Sequence, residues 1–190
     1  MNKLQLTYCA SHEWAALVTG SIIPWATGGV ALGDHWLEVG PGPGRTTETL
    51  RHLAARLTAV ELDHDLATAL AARFGGTNVT VVEADAAALP MSDGTFTGAI
   101  CLTMLHHVPT QALQDQLFAE VRRVLMSGGA FVGNDNLDSP QVREAHVDDT
   151  CVPIDPATLA GRLEAAGFEA VEVETNPYAF RFRARKSEPR

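Results

Sequence analysis

Cysteine is scarce in this sequence and long apolar runs are absent, and each shortage removes a class of protein. The 190 residues include three cysteines, Cys9, Cys101 and Cys151, far apart and with no Cys-x-x-Cys pair. That argues against a disulfide framework or a zinc knuckle and for a reducing compartment. A membrane span needs roughly 20 consecutive apolar residues, and no stretch approaches that. Near the start, His12 and Glu13 precede Trp14-Ala15-Ala16-Leu17-Val18, and Gly20, Ser21 and Pro24 follow soon after. No signal peptide is expected from that pattern. The expectation is a soluble, cytoplasmic chain with no membrane partner. Positive charge is also short: 14 Lys and Arg stand against 23 Asp and Glu, a net charge of −9. Phosphate backbones are bound by concentrated basic faces, so no nucleic-acid partner is expected. No repeat or low-complexity tract interrupts the chain. Its length, with 46% hydrophobic residues, suits one compact domain.

From His35 onward, short β-like runs alternate with helical periodicity. Trp36–Val39 reads as a first strand. Leu50, Leu53, Ala54 and Leu57 then fall at i, i+3, i+4 and i+7, the spacing of one helix face. A second strand is expected over Leu57–Glu61. The next helix is capped by Asp63 or Asp65 and carries Leu66, Leu70 and Phe74 on one side before Gly75-Gly76. Val79–Val82 and Gly98–Leu102 are the third and fourth strands. Leu113, Leu117, Val121 and Val124 mark a long amphipathic helix that ends near Ser127-Gly128-Gly129. Ala130–Gly133 is apolar on both faces, as a buried parallel strand should be. Asp155-Pro156 has helix-start chemistry and Gly167 can end that helix. Phe168–Glu174 and Tyr178–Arg183 close the sheet around Asn176-Pro177. The pattern is that of an α/β fold with a parallel sheet covered on both faces. Ligands in such sheets sit beyond the carboxyl ends of the strands.

The loop after the first strand carries glycines at 40, 42 and 44. Glycine tolerates positive φ and lets a ligand come close to the backbone, and the loop opens a helix whose first N–H groups are free. About 20 residues on, Glu61 ends the second strand, where a carboxylate can accept both hydroxyls of a ribose. Asp85 follows the third strand and is placed to meet a base edge. A dinucleotide fold with G-x-G-x-x-G would put glycine at 45, where this chain has Arg45.

The loop reads Glu38-Val39-Gly40-Pro41-Gly42-Pro43-Gly44. Together with Val60–Asp63, Glu83–Ala86, Leu89–Gly94, Met104–Val108 and Glu120–Leu125, it resembles the class I S-adenosylmethionine-dependent methyltransferases. The likeness runs over roughly residues 35 to 175 and is to the small-molecule, quinone-biosynthesis-like (type 11) branch. It implies a Rossmann-like seven-stranded, mostly parallel sheet of order 3-2-1-4-5-7-6, its last strand antiparallel and helices on both faces. It also implies S-adenosylmethionine as cofactor. Glu38, Gly40, Pro41, Gly42 and Gly44 would then hold the methionine end and Glu61, with Leu62 beside it, the ribose. Asp85 and Ala86 would meet the adenine, and the Leu102-Thr103 backbone the amino group. Two positions depart from the family's habit. Phe96-Thr97 stands where Phe-Asp is usual, and Met126-Ser127-Gly128-Gly129 where Lys-Pro-Gly-Gly is usual. The expected organisation is a helical cover over 1–33, a cofactor core over 34–134, an acceptor-site connection over 135–155, and a closing helix and strands over 156–185.

Methyl transfer from a sulfonium is an in-line displacement, and an acceptor that must lose a proton needs a base. His106 and His107, after the fourth strand, are the candidate catalytic residues, although the family often packs the second of them behind the cofactor. The N-terminal segment, with Tyr8, His12 and Trp14, can offer aromatic faces to a cation or simply pack. Asp135, His146, Asp148 and Asp149 match no tight ligand spacing, so no metal is expected and the stretch is read as lining the acceptor site. Arg181, Arg183 and Arg185 alternate with Phe180, Phe182 and Ala184, read as an edge strand kept soluble by charge. The acceptor is expected to be a small molecule. A nucleic-acid or protein methyltransferase remains an alternative, lowered by Leu102-Thr103-Met104-Leu105 in place of an Asn/Asp-Pro-Pro-Tyr motif. A non-catalytic nucleotide-binding module is another. A dehydrogenase is disfavoured by Arg45 and by the lack of a Tyr-x-x-x-Lys pair. The oligomeric state is open.

Overall fold

The alternation of apolar runs and helical periods resolves into one seven-stranded sheet. The computed structural model describes residues 2–188. Its strands are β1 (His35–Val39), β2 (Arg56–Glu61), β3 (Val79–Glu83), β4 (Phe96–Leu102), β5 (Leu125–Asn136), β6 (Phe168–Thr175) and β7 (Ala179–Lys186). They lie in the order β3-β2-β1-β4-β5-β7-β6, as the resemblance implies. The pairs among β1 to β5 are parallel, and β7 runs antiparallel to both β5 and β6. Strand β4 shows why its apolar run is continuous. Ala99 and Cys101 join a cluster with Phe118 and Val121, while Ile100 and Leu102 join another with Ile23, Ala26 and Leu50. Successive side chains thus enter cores on opposite faces.

The helices follow their caps. Asp63, not Asp65, caps α5 (His64–Phe74) by accepting from Leu66 N–H. Thr110 caps α6 (Gln111–Val124), and Asp155 caps α8 (Pro156–Ala165) with Pro156 in its first turn. Before the sheet come α1 (Lys3–Cys9), capped by Asn2, and α2 (His12–Leu17), capped by Ser11. The chain then passes through a wide π turn at Val18–Ile22 into α3 (Ile23–Thr27). Thr97, at the first departure from the family's habit, has a structural task. Its hydroxyl accepts from His35 N–H at 2.9 Å and lies 2.8 Å from Leu32 O, tying the entry of β1 to β4.

Four expectations need correction. The helix after the glycine loop, α4 (Arg45–Leu50), stops at Leu50 and does not run on toward Leu57; Leu53 is exposed. The Asn78 side-chain amide ends it by donating to Arg51 O and Ala54 O at 2.8 and 2.9 Å. Strand β5 begins directly after α6 at Leu125, where backbone pairing with Phe96 and a register shift replace the expected loop. The 135–155 connection contains a helix, α7 (Pro140–Ala145), which starts at Ser139-Pro140. And β7 is not an edge strand: β6 covers its outer side. Its basic face is used internally, Arg181 donating to Trp25 O at 2.6 Å and thereby holding α3.

Close packing across β5 generates a test. A Cβ on Gly133 would sit 2.4 Å from Cys101 O and 2.6 Å from the Phe182 ring, whereas one on Gly161, within α8, meets nothing within 4 Å. Gly133→Ala should therefore destabilise the fold by about 1–3 kcal/mol. Gly161→Ala should stabilise it by up to about 1 kcal/mol. Urea unfolding of the two variants beside the parent protein checks both signs.

Candidate active site

The parallel strands deliver their carboxyl ends to one side of the sheet, and the chemistry-bearing residues collect there. Beyond β1, Gly40, Gly42 and Gly44 all take left-handed φ, at 67°, 54° and 79°. At Gly40 a side chain is also sterically barred, because a Cβ would come within 2.8 Å of Met104 Cε. The loop is pinned from β2: Gly40 N–H donates to Val60 O, and Gly42 N–H to Glu61 Oε2, both at 2.9 Å. Glu61 Oε1 accepts from Asp63 N–H at 3.0 Å. Each oxygen of this buried carboxylate keeps a second lone pair.

Two cavities flank the loop. The larger, about 650 Å³, is lined by Glu61, Leu62, Asp85 and Ala86, together with Val108, Leu113 and Leu117. The other, about 490 Å³, is lined by Pro41, Leu102, Thr103 and His106, by Gln141 and His146 from the 135–155 connection, and by Tyr8 and Trp14 from the N-terminal helices. Gly40, Gly42, Met104 and His107 line both. The two cavities therefore adjoin along the glycine loop, a trough in two parts that share these four residues. Thr103 has φ +50°, rare for a threonine, and its N–H donates to Asn134 O at 2.9 Å. Glu38 and Gly44 line neither cavity. Gly44 turns the chain into α4. Glu38 lies buried beneath the loop, where it accepts from the Thr46 hydroxyl through Oε1 while Oε2 has no partner. Burial pushes its carboxyl up to about 7, and the Thr46 hydroxyl offsets only part of that rise.

The second cavity wall is a histidine cluster. His106 and Asp135 are both nearly inaccessible, and His106 Nδ1 lies 2.6 Å from Asp135 Oδ1. The same carboxylate accepts from His106 N–H at 2.9 Å and from Asn136 N–H at 2.7 Å. Asp135 so placed holds a proton on His106 Nδ1 and turns Nε2 toward His146, another residue of the same cavity wall. His107 stacks at 4.3 Å on His106, centroid to centroid. Burial, helped by the neighbouring His106, lowers His107 to about 4. At neutral pH that ring is uncharged and a weak base. His146, at the end of α7, brings its Nε2 to 2.9 Å from His106 Nε2 and its Nδ1 to 2.6 Å from Val142 O. Gln5 of α1 reaches His146 Nε2 at 2.6 Å. Sequence reading placed Asp135 and His146 only in a lining role. Their pairing with His106 spans 29 and 40 residues and depends on α7, which has no strong periodic signal. Gln5 and Asn134 were not singled out at all, and no local pattern marks either.

Comparison with known proteins agrees with this architecture. The methyltransferase domain family matches residues 37–133, just over half of the chain. Over 56 residues the chain is 45% identical to ribosomal RNA small subunit methyltransferase A of Acidithiobacillus ferrooxidans, a stretch covering 30% of this chain and 21% of that protein. The chain spans only about a fifth to a third of the length of such curated relatives. Among solved structures, a SAM-dependent methyltransferase from Aquifex aeolicus superposes with a TM-score of 0.75 at 17% identity, covering 97% of this chain and 98% of that one. Phosphoethanolamine N-methyltransferase 2 of Haemonchus contortus, solved with S-adenosyl-L-methionine, gives 0.76 at 14% identity, covering 96% and 57%. The fold is thus that of the class I methyltransferases. The chain belongs to the methyltransferase domain family. Among the described residues, no helix is long and apolar enough to cross a membrane.

Glu38 makes stability depend on pH in a defined direction. Its folded-state value of about 7 exceeds the ordinary 4.5. Between those values the folded chain holds a proton that the unfolded chain releases, so stability falls as pH rises through the window. The loss is at most about 3 kcal/mol. Urea unfolding at pH 5 and pH 8 should show the ligand-free parent losing stability relative to Glu38→Gln as pH increases.

Proposed function

We propose that this enzyme methylates a small molecule held in the cavity beside His106, with its cofactor lying along the trough over the glycine loop. The observation that carries the reading is that the two cavities of this trough share the glycine loop. A ribose-grade carboxylate and Asp85 stand at one end, left-handed glycines in the middle, and an oriented imidazole at the other. When bound, S-adenosylmethionine supplies an activated methyl group on a sulfonium.

The chain's own residues account for the rest. Gly40, Pro41 and Gly42 let the ligand approach the backbone, with Gly44 setting the turn and Glu38 buried beneath it at the methionine end. Glu61 has spare lone pairs for the ribose hydroxyls, with Leu62 alongside. Asp85 and Ala86 border the base, and the Leu102-Thr103 backbone faces the methionine end. The N-terminal segment would act as the cover and 135–155 as the acceptor connection, a reading supported by Tyr8, Trp14 and His146 in the lining of that cavity. His106, oriented by Asp135, receives the acceptor's proton through Nε2. His107, lowered to about 4, packs and shapes the wall instead. A cavity of about 490 Å³ is in the range of small-molecule sites, and a net charge of −9 disfavours a broad phosphate-binding face. Those two features favour a small acceptor over the ribosomal RNA named in the curated relatives.

S-adenosylhomocysteine should raise the melting temperature and NAD should not, since a ligand that binds only the folded state stabilises it. Glu61→Ala should weaken that binding more than tenfold, because two hydroxyls lose a buried acceptor. An unchanged affinity would contradict the placement of the ribose. The acceptor class has its own test, transfer of radiolabelled methyl groups to a fractionated cell extract. Label should enter the small-molecule ultrafiltrate; label confined to RNA or protein would overturn the small-acceptor reading. With the acceptor so identified, His106→Gln should reduce kcat by about 10²–10⁴-fold while leaving the S-adenosylhomocysteine shift intact.

A further inference from the structure

We propose that His106, His107 and His146 form a binding site for one divalent transition-metal ion of the zinc class, open toward the acceptor cavity. The inference stands on the cluster's geometry and does not require the acceptor to be known. One ring nitrogen from each histidine lies within 4.8 Å of the other two. Two of the rings are already set as ligands. His106 Nδ1 lies 2.6 Å from a carboxylate oxygen of Asp135 and His146 Nδ1 2.6 Å from the Val142 carbonyl. Both partners only accept, because the Asp135 carboxylate is ringed by N–H donors, so both Nδ1 atoms carry the proton. The two Nε2 atoms then face each other 2.9 Å apart, with the Gln5 amide nitrogen 2.6 Å from that of His146. Two acceptors that close repel unless a proton or a cation lies between them, and an ion bound there would displace the Gln5 amide. The third ring adds His107 Nδ1, buried and without a hydrogen-bond partner among the described residues, with Asp149 Oδ2 4.0 Å away.

Carboxylate and carbonyl acceptors on the far nitrogen are the supports that orient metal-bound imidazoles. Three neutral nitrogens suit zinc, copper, nickel or iron(II) and do not suit magnesium or calcium, which take oxygen ligands. With bonds of about 2.0–2.1 Å in tetrahedral geometry, the His106–His146 nitrogens would stand roughly 3.4 Å apart. That pair reaches this distance by opening about half an ångström, and the third ring by closing up to about 1.4 Å from the 4.8 Å span of the cluster. All three histidines line the same cavity, so the fourth position opens onto it. Three protein ligands and one open position is the pattern of an exchangeable site. A hydroxyl or thiol on a bound small molecule would enter as its anion, its proton leaving to solvent as the metal–oxygen or metal–sulfur bond forms. A bound ion and a transferred proton use the same Nε2 lone pair, so metal loading takes His106 out of its proton-accepting role.

The test is direct metal binding to the whole chain, stripped with a chelator and titrated with zinc by calorimetry. One zinc per chain, a rise in melting temperature with zinc but not magnesium, and intense four-coordinate visible bands with cobalt(II) are expected. His146→Gln and His107→Gln should each weaken zinc at least 100-fold. Replacement of the exposed His52 or His64 should leave it unchanged. Cooperative urea unfolding matching the parent's certifies that each variant is folded. Absence of an S-adenosylhomocysteine shift in the parent would count against the cofactor reading and leave the metal site standing. Absence of stoichiometric zinc, or equal affinity in the His146 and His107 variants, would overturn the site.

Discussion

Strands that end beneath a ligand trough leave backbone N–H groups with no strand partner, and two buried carboxylates satisfy them here. Glu61, at the end of β2, accepts from Gly42 and Asp63. Asp135, near the end of β5, accepts from His106 and Asn136. Buried donors left unpaired cost as much as lost hydrogen bonds, so these carboxylates shape the loops before any ligand arrives. Each also leaves something over for chemistry. Glu61 keeps lone pairs beside the glycine loop, and Asp135 fixes the proton on one side of an imidazole whose other side is then an acceptor. Backbone satisfaction and active-site preparation are the same set of bonds.

This double use explains which parts of the protein were legible in its sequence. The glycine loop, Glu61 and Asp85 follow successive strands and appear in chain order, so their spacing together with the family likeness marks them as the candidate cradle. The strand order came through because parallel connections and a family likeness both constrain it. What stayed hidden depends on partners distant in sequence. Nothing near Leu50 announces that Asn78, more than 20 residues later, will take the last carbonyls of α4. The arginines of β7 looked like a solubilising edge because their receiver, the Trp25 carbonyl, lies in another element 156 residues away. His146 sits in a short helix of mixed composition, and only folding shows that it faces His106. Local periodicity records which face is apolar; it does not record which polar group that face will meet.

The acceptor cavity is bounded by elements of unequal stability. Its floor belongs to β4 and β5, whose residues from Ala99 to Cys101 and from Phe131 to Val132 are fully inaccessible. Its outer wall includes α1 and α2, which contain no buried residue. They are held by a few polar ties: Gln5 to His146, Asn2 to Asp149, and Arg45 to the Ala10 carbonyl. Segments with so little apolar anchoring open at a small fraction of the free energy needed to unfold the sheet. Local detachment of the first two helices can then open this cavity while the sheet stays folded. The molecule keeps two clocks, a slow one set by its hydrophobic core and a fast one set by a handful of polar ties.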